Sequence, residues 1–183
     1  KPWFSVFLTL SCHEPFTVPY HRLPDEVYNA AAYTDDCLGK FIKQLKASPL
    51  WDNLLIILVP DHNITYNMAD SNPDYFKCPM LWIGGAVKGN PRVISKFMNQ
   101  SDIAATLLAQ MGLSHENFIY SRNILSGAYG KYPFAFSCYN NGFVFRDSTG
   151  VTSYDLAAKS VVTERGNSNA QAARQMKGKA ILQ

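Results

Sequence analysis

Residues 54–59 read LLIILV, six apolar side chains without a polar interruption. A strand with one face in water alternates apolar and polar residues. An unbroken run therefore predicts a strand covered on both faces, as in a parallel sheet flanked by helices. Burying six such side chains contributes on the order of 10 kcal/mol at ~1.5–3 kcal/mol each, so the run has to be core. It ends at Pro60, and Asp61 and His62 follow side by side.

The rest of the chain fits an α/β order. WFSVFLTL (3–10) is aromatic and β-prone, which predicts a second core strand. It leads into SCHEPFTVPYHRLP, whose three prolines and two histidines mark irregular chain. Val27, Ala30, Ala31, Thr34, Leu38, Phe41, Ile42 and Leu45 recur at three- and four-residue spacing and predict an amphipathic helix. Asp25 is its N-cap and Ser48-Pro49 its stop. CPMLWIGG (78–85) predicts a further strand closed by a glycine pair. A second helix is expected from about Ser101 to Gln110, with Ile103, Ala104, Leu107 and Leu108 as its apolar stripe and Gly112 at its end. Beyond residue 133, FAFSCY, GFVFRD and VTSYDL are short strands separated by NNG and STG, and Asn-Gly between apolar runs signals a hairpin. The expected fold class is α/β with at least some parallel pairing, extended at one edge by an antiparallel meander. The expected divisions are an α/β part over 1–132, the meander over 133–162, and a basic tail over 163–183 that forms a short helix.

Composition narrows the function classes. A chain of 183 residues can bury roughly 70% of its unfolded surface, enough for one substantial domain. No apolar run reaches the ~20 residues of a membrane span. The start, Lys1-Pro2 followed at once by apolar chain and without Met, reads as cut from something longer. Residues 1–162 carry 13 Lys/Arg against 13 Asp/Glu, so the whole net charge of +3 sits in the tail. A basic tail can touch phosphates or a membrane surface, but a solvated extension is the expectation. No basic patch interleaved with aromatics points to nucleic acid. Cys12, Cys37, Cys78 and Cys138 are scattered without a C-x-x-C pair, which argues against structural zinc and a disulfide framework. Buried free thiols are the default.

In open α/β sheets, sites gather beyond the carboxyl ends of strands. His13 and Glu14 follow the first apolar run there, and Asp61 and His62 follow the second. A carboxylate and a neutral imidazole suit Zn²⁺ or Mn²⁺, but an Asp-His dipeptide closing a strand is also an ordinary turn, and His13 an ordinary loop histidine. Thr9 and Ser11 lack a nucleophile elbow. His21 and His115 have no motif context, and the sequons at Asn63 and Asn99 are short enough to arise by chance. Gly84-Gly85 is not a phosphate loop, since no P-loop helix follows.

FLTLSCHEPFTVP, YNAAAYTDDCLGKFIKQLKASPLWDNLLIILVPDHN, PMLWIGG and QSDIAATLLAQMGL, in that order, resemble the C-terminal half of a sulfatase-type domain. The family is the alkaline phosphatase superfamily, in its lipoteichoic acid synthase-like phosphoglycerol transferase branch. The resemblance covers residues 3–126 and continues loosely to Leu156. It implies part of a sulfatase-like sandwich with a mixed sheet, and an enzyme whose metal-activated Thr attacks a lipid headgroup phosphodiester. It places Asp61 and His62 at metal ligands and His13 at a contact to the substrate phosphate or headgroup. The metal implied is Mn²⁺, with Mg²⁺ or Zn²⁺ as alternatives. The implied location is outside the cytoplasmic membrane, with a membrane tether in the full-length parent. The family's nucleophile and first acidic ligand lie on strands upstream, so no catalytic nucleophile is expected in this chain, and none of its activity. The family usually reads Asp-His-Gly where this chain has Asp61-His62-Asn63, although Asn tolerates left-handed backbone. A non-catalytic homologue serving as a partner module, and an arylsulfatase-type hydrolase, are the alternatives. An exposed sheet edge would also invite a homodimer.

Overall fold

The computed structural model describes residues 2–63 and 68–183. Ile64 and Thr65 of the sequon at Asn63 lie outside the described residues. The chain divides into two units, residues 1–58 with 81–89, and residues 59–80 with 90–183.

In the first unit, helix α1 spans Glu26–Lys46. Asp25 caps it as the sequence predicts, accepting from the amides of Val27 at 2.8 Å and Tyr28 at 3.4 Å. Asn29 is buried and has no counterpart in the sequence reading. Its amide oxygen accepts from the backbone of Arg22 and Leu23, both at 2.9 Å, and its nitrogen donates to the carbonyls of Leu23 and Asp25. One side chain thus fixes the bend that leads into α1. Along the expected stripe Ala30 is buried, Val27, Thr34, Leu38, Ile42 and Leu45 are half-buried, and Ala31 and Phe41 are exposed.

Strands β1 (Ile56–Leu58) and β2 (Leu81–Ile83) form an antiparallel pair with Ile57 opposite Trp82. The run at 54–59 is therefore neither parallel nor fully covered. Three of its residues pair, each half-buried, because β1 has a single ladder neighbour among the described residues. The glycine pair after β2 is a packing requirement. A Cβ at Gly84 would stand 2.0 Å from the carbonyl oxygen of Leu54, and one at Gly85 2.5 Å from that of Trp51. With no side chains in the way, the amides of Gly85 and Ala86 reach those carbonyls at 2.9 and 3.2 Å.

Residues 2–10 form no regular element and pair with no strand among the described residues, which corrects the expected core strand. Trp3, Phe4, Val6, Phe7, Leu8 and Leu10 are all exposed, Phe7 at 87%. A strand is stabilised by its ladder and by a covering layer, and among the described residues this segment has neither.

In the second unit, helix α2 (Asp102–Gln110) ends at Gly112, whose φ of 68° is left-handed. Its most buried positions are Asp102, Ala105 and Thr106, while the predicted stripe is only half-buried. The reason is an ion pair. Asp102, fully buried, accepts from Arg122 Nε at 2.9 Å and Nη2 at 2.6 Å. The Arg122 guanidinium stacks 3.7 Å from the Phe134 ring centre. Strands β3 (Phe134–Tyr139), β4 (Gly142–Asp147), β5 (Gly150–Asp155) and β6 (Ser160–Gly166) form the antiparallel meander in chain order. The first three are strands that the sequence predicts. β6, reaching four residues past 162, was hidden by Glu164 and Arg165, which read as tail.

One face of the meander carries Phe134, Phe136, Phe143, Phe145 and Tyr154 in mutual contact, with centroid separations of 5.4 Å for Phe134–Phe145 and 5.6 Å for Phe143–Tyr154. Helix α3 (Gln171–Leu182) packs there, with Gly178 against the Phe143 ring. The basic residues expected to be solvated hold α3 down. Arg174 is fully buried, donating to Thr152 Oγ1 at 2.9 Å, Thr149 Oγ1 at 2.6 Å, the Glu164 carboxylate and the Asn167 carbonyl. Lys177 donates to Asp147 Oδ2 at 3.0 Å.

Both sheets are antiparallel, so the mixed sheet of the sequence reading is not found among the described residues. Among the described residues no helix is long and apolar enough to cross a membrane. The four cysteines are free, Cys12 and Cys78 half-buried and Cys37 and Cys138 exposed, so the expectation of burial fails for the latter two.

Candidate functional site

Asp61 and His62 occupy an exposed turn three residues beyond the end of β1 in sequence. The Asp61 side chain is 76% exposed and that of His62 66%. Asp61 Oδ1 accepts from the amide of His62 at 2.9 Å, which folds the carboxylate back over the turn. His62 Nδ1 lies 3.1 Å from the carbonyl oxygen of Asn63. A carbonyl only accepts, so Nδ1 carries the proton, and in the neutral ring Nε2 keeps its lone pair. That nitrogen stands 3.5 Å from Asp61 Oδ2. A carboxylate oxygen and an imidazole lone pair are thus presented side by side to solvent, an arrangement that attracts a cation. Among the described residues the left-handed non-glycine ones are Phe16 and Lys159, and Asn63 is not among them.

The donor chemistry fits a divalent ion, and the donor number does not. A structural site uses four ligands and a catalytic one three plus water. Among the described residues no group of three or more His, Cys, Asp or Glu side chains could hold a metal. Burial, and then the charge of Asp61, push the Cys78 thiol pKa up in the metal-free chain.

The backbone of the turn is gripped from α2's leading segment. Gln100 Nε2 donates to the carbonyl oxygens of Pro60 at 2.5 Å and Asp61 at 3.0 Å. Nothing in the sequence marks Gln100 beyond its place in QSDIAATLLAQMGL. Asn99, in the second sequon, spends its amide on both backbone groups of Phe136, donating and accepting at 2.9 Å. Further along, Asp74 pairs with two arginines of the meander, Arg146 at 3.2 Å and Arg165 at 2.8 Å. Hydrogen bonds from Lys77 and Arg165 hold the Asp74 carboxyl well below the usual carboxylate range.

His13 lies in the first unit, exposed on the turn after the apolar segment. Its amide reaches the carbonyl of Leu10 at 3.1 Å, and its carbonyl accepts from Phe16 at 2.9 Å. Nδ1 is 3.0 Å from the carbonyl oxygen of Glu14, so here too Nε2 is the free nitrogen. Phe16 sits at φ 58°, a conformation that a bulky residue adopts at a cost of about 1–3 kcal/mol. Cys12 Sγ, 3.3 Å from Thr34 Oγ1, ties this turn to α1.

A family model described as Sulfatase matches residues 1–113. Lipoteichoic acid synthase 2 of Bacillus subtilis is 24% identical over 66% of this chain and 22% of its own length. The lipoteichoic acid synthase-like YvgJ of the same organism is 26% identical over 81% of this chain and 29% of its own. The chain thus spans about a quarter of the curated relatives it matches. A crystal structure of a protein in the alkaline phosphatase superfamily from Vibrio parahaemolyticus superposes with a TM-score of 0.69 at 23% identity, covering 95% of this chain and 48% of that one. That likeness shares the fold, C-terminal meander included. With the family model covering more than half of its length, the chain belongs to the sulfatase family.

Proposed function

We propose that these residues form the C-terminal half of the catalytic domain of a phosphoglycerol or phosphoethanolamine transferase, or a related phosphodiesterase, acting on lipid headgroups outside the cytoplasmic membrane. The observation that carries the reading is the Asp61–His62 turn, which offers Oδ2 and the free Nε2 3.5 Å apart to solvent. These two groups supply part of a divalent metal site, Mn²⁺ in the first instance. When bound, such an ion acts as a Lewis acid on phosphoryl oxygen. His13, with its free Nε2 on a braced turn, contacts the phosphate or headgroup. The nucleophile and the remaining acidic ligand come from outside these 183 residues.

Similarity to lipoteichoic acid synthases supports a headgroup phosphodiester over a sulfate ester as substrate. The test is turnover of a phosphatidylglycerol analogue with Mn²⁺ by this chain and by a longer chain carrying the upstream strands. The expected result is no turnover by the chain alone and metal-dependent turnover by the longer one, abolished by Asp61→Ala and reduced by His13→Ala. Turnover by the chain alone would overturn the reading. An inactive longer chain that still binds a partner would favour the non-catalytic alternative.

A further inference from the structure

We infer that Gln100 is a positioning residue for the Asp61–His62 pair, and that with Asn99 it couples the meander to that turn. A side-chain amide nitrogen has two hydrogens, and Gln100 Nε2 directs them at two successive carbonyls, those of Pro60 and Asp61. These carbonyls belong to the peptide planes on either side of the Asp61 Cα. Fixing both planes fixes the backbone angles at Asp61, and so the direction of its side chain and the entry of the chain into His62. The Asp61 carboxylate and the amide of His62 already hold each other locally, but that bond moves with the turn as a body. Gln100 provides the long-range anchor, from 39 residues away.

The anchor is itself held. The amide of Asn99 donates to Asp102 Oδ2 at 2.8 Å, and Asp102 is fixed by Arg122. The side chain of Asn99 is locked to the backbone of Phe136 in β3 by two bonds of 2.9 Å. Neighbouring side-chain amides in one dipeptide therefore serve different partners, Asn99 the β3 backbone and Gln100 the turn. Glutamate could not replace Gln100, since a carboxylate has no hydrogen to give two carbonyls. Lysine could, with three donors on one nitrogen.

The functional meaning rests on the proposed role of Asp61 and His62 as ligands, but the brace can be tested without metal. Backbone ¹⁵N relaxation would be measured at Asp61, His62 and Asn63 in the wild-type chain, Gln100→Ala and Gln100→Lys. In the wild type these amides should be as ordered as those of β3. Q100A should loosen them while Phe136 and Arg122 stay unchanged, and Q100K should restore order. Mobile amides in the wild type, no change in Q100A, or equal loosening at Phe136 would each overturn the inference. In the longer chain, Q100A should weaken Mn²⁺ binding about tenfold, the scale at which supports of metal ligands act. If Q100A loosens the turn but Mn²⁺ affinity follows neither Asp61→Ala nor His62→Ala, the brace stands and the ligand reading fails.

Discussion

Arg174 joins α3 to the meander, and its removal should be the most damaging single change in the second unit. The guanidinium is fully buried and donates to Thr152, Thr149, Glu164 and the Asn167 carbonyl. Arg174→Ala leaves Glu164 facing that space without its counter-charge, strips the Asn167 carbonyl of its donor and opens a hole under α3. Removing one partner of a buried ion pair costs about 3–5 kcal/mol. Glu164 keeps 22% of its side chain in solvent, which places the loss at the low end, about 3 kcal/mol. Against a total of about 5–15 kcal/mol this is a large share. With a urea slope of about 1–3 kcal/mol/M, the midpoint read by circular dichroism should fall by roughly 1–3 M. Trypsin should cut first at Lys177 and Lys179 as α3 comes away. Because the partners act together, Arg174→Ala/Glu164→Ala should cost less than the sum of the single changes. A loss below 1 kcal/mol, or additive single changes, would refute the view that α3 is held by this network rather than by the Gly178–Phe143 contact.

That contact gives its own prediction. A Cβ at Gly178 would lie 2.0 Å from Phe143 Cε2 under a ring with no exposed surface, so Gly178→Ala should cost about 1–3 kcal/mol by overpacking, read from the same urea curves. Asp74 and Asp147 both have lowered pKa values in the folded chain. At Asp147 burial pulls upward, but Thr149 and Lys177 outweigh it. A depressed folded pKa gives stability that is full above the unfolded value of about 4 and is lost as pH falls through the folded one. Unfolding free energy should thus fall steadily below pH 4, and Asp74→Asn should flatten that fall. The exposed apolar side chains of residues 3–10 should make the isolated chain self-associate. Light scattering should show a dimer or larger species that Phe7→Lys reduces, and a monomeric wild-type chain would contradict this.

Local chemistry was legible in the sequence wherever it acted over a few residues. Asp25 capping α1, Gly112 ending α2 and the hairpin at NNG, whose turn is Asn140-Asn141 with Gly142 already paired to Tyr139, are short-range signals, and each holds in the structure. Strand pairing was not legible, because an apolar run records that it wants cover and not what covers it. Residues 54–59 and 3–10 read alike, yet one supplies a short antiparallel strand and the other pairs with no strand among the described residues. Charged residues misled most. Asp102, Arg122, Glu164 and Arg174 are paired in or against the core of the second unit, and only the fold brings each pair together. At the candidate site, residue type pointed to Asp61, His62 and His13. Gln100 was invisible, since a glutamine bonded to backbone 39 residues away leaves no local pattern.

Under the proposed function, Asp61 and His62 are two ligands of a metal site whose remaining ligands lie outside the described residues. Mn²⁺ titrated into the ¹⁵N,¹³C-labelled chain tests it most directly, through paramagnetic broadening of each side chain. Weak binding is expected, with the His62 ring and Asp61 carboxyl signals lost first and the effect removed by Asp61→Ala. Broadening centred elsewhere, or stoichiometric Mn²⁺ retained through dialysis, would contradict it.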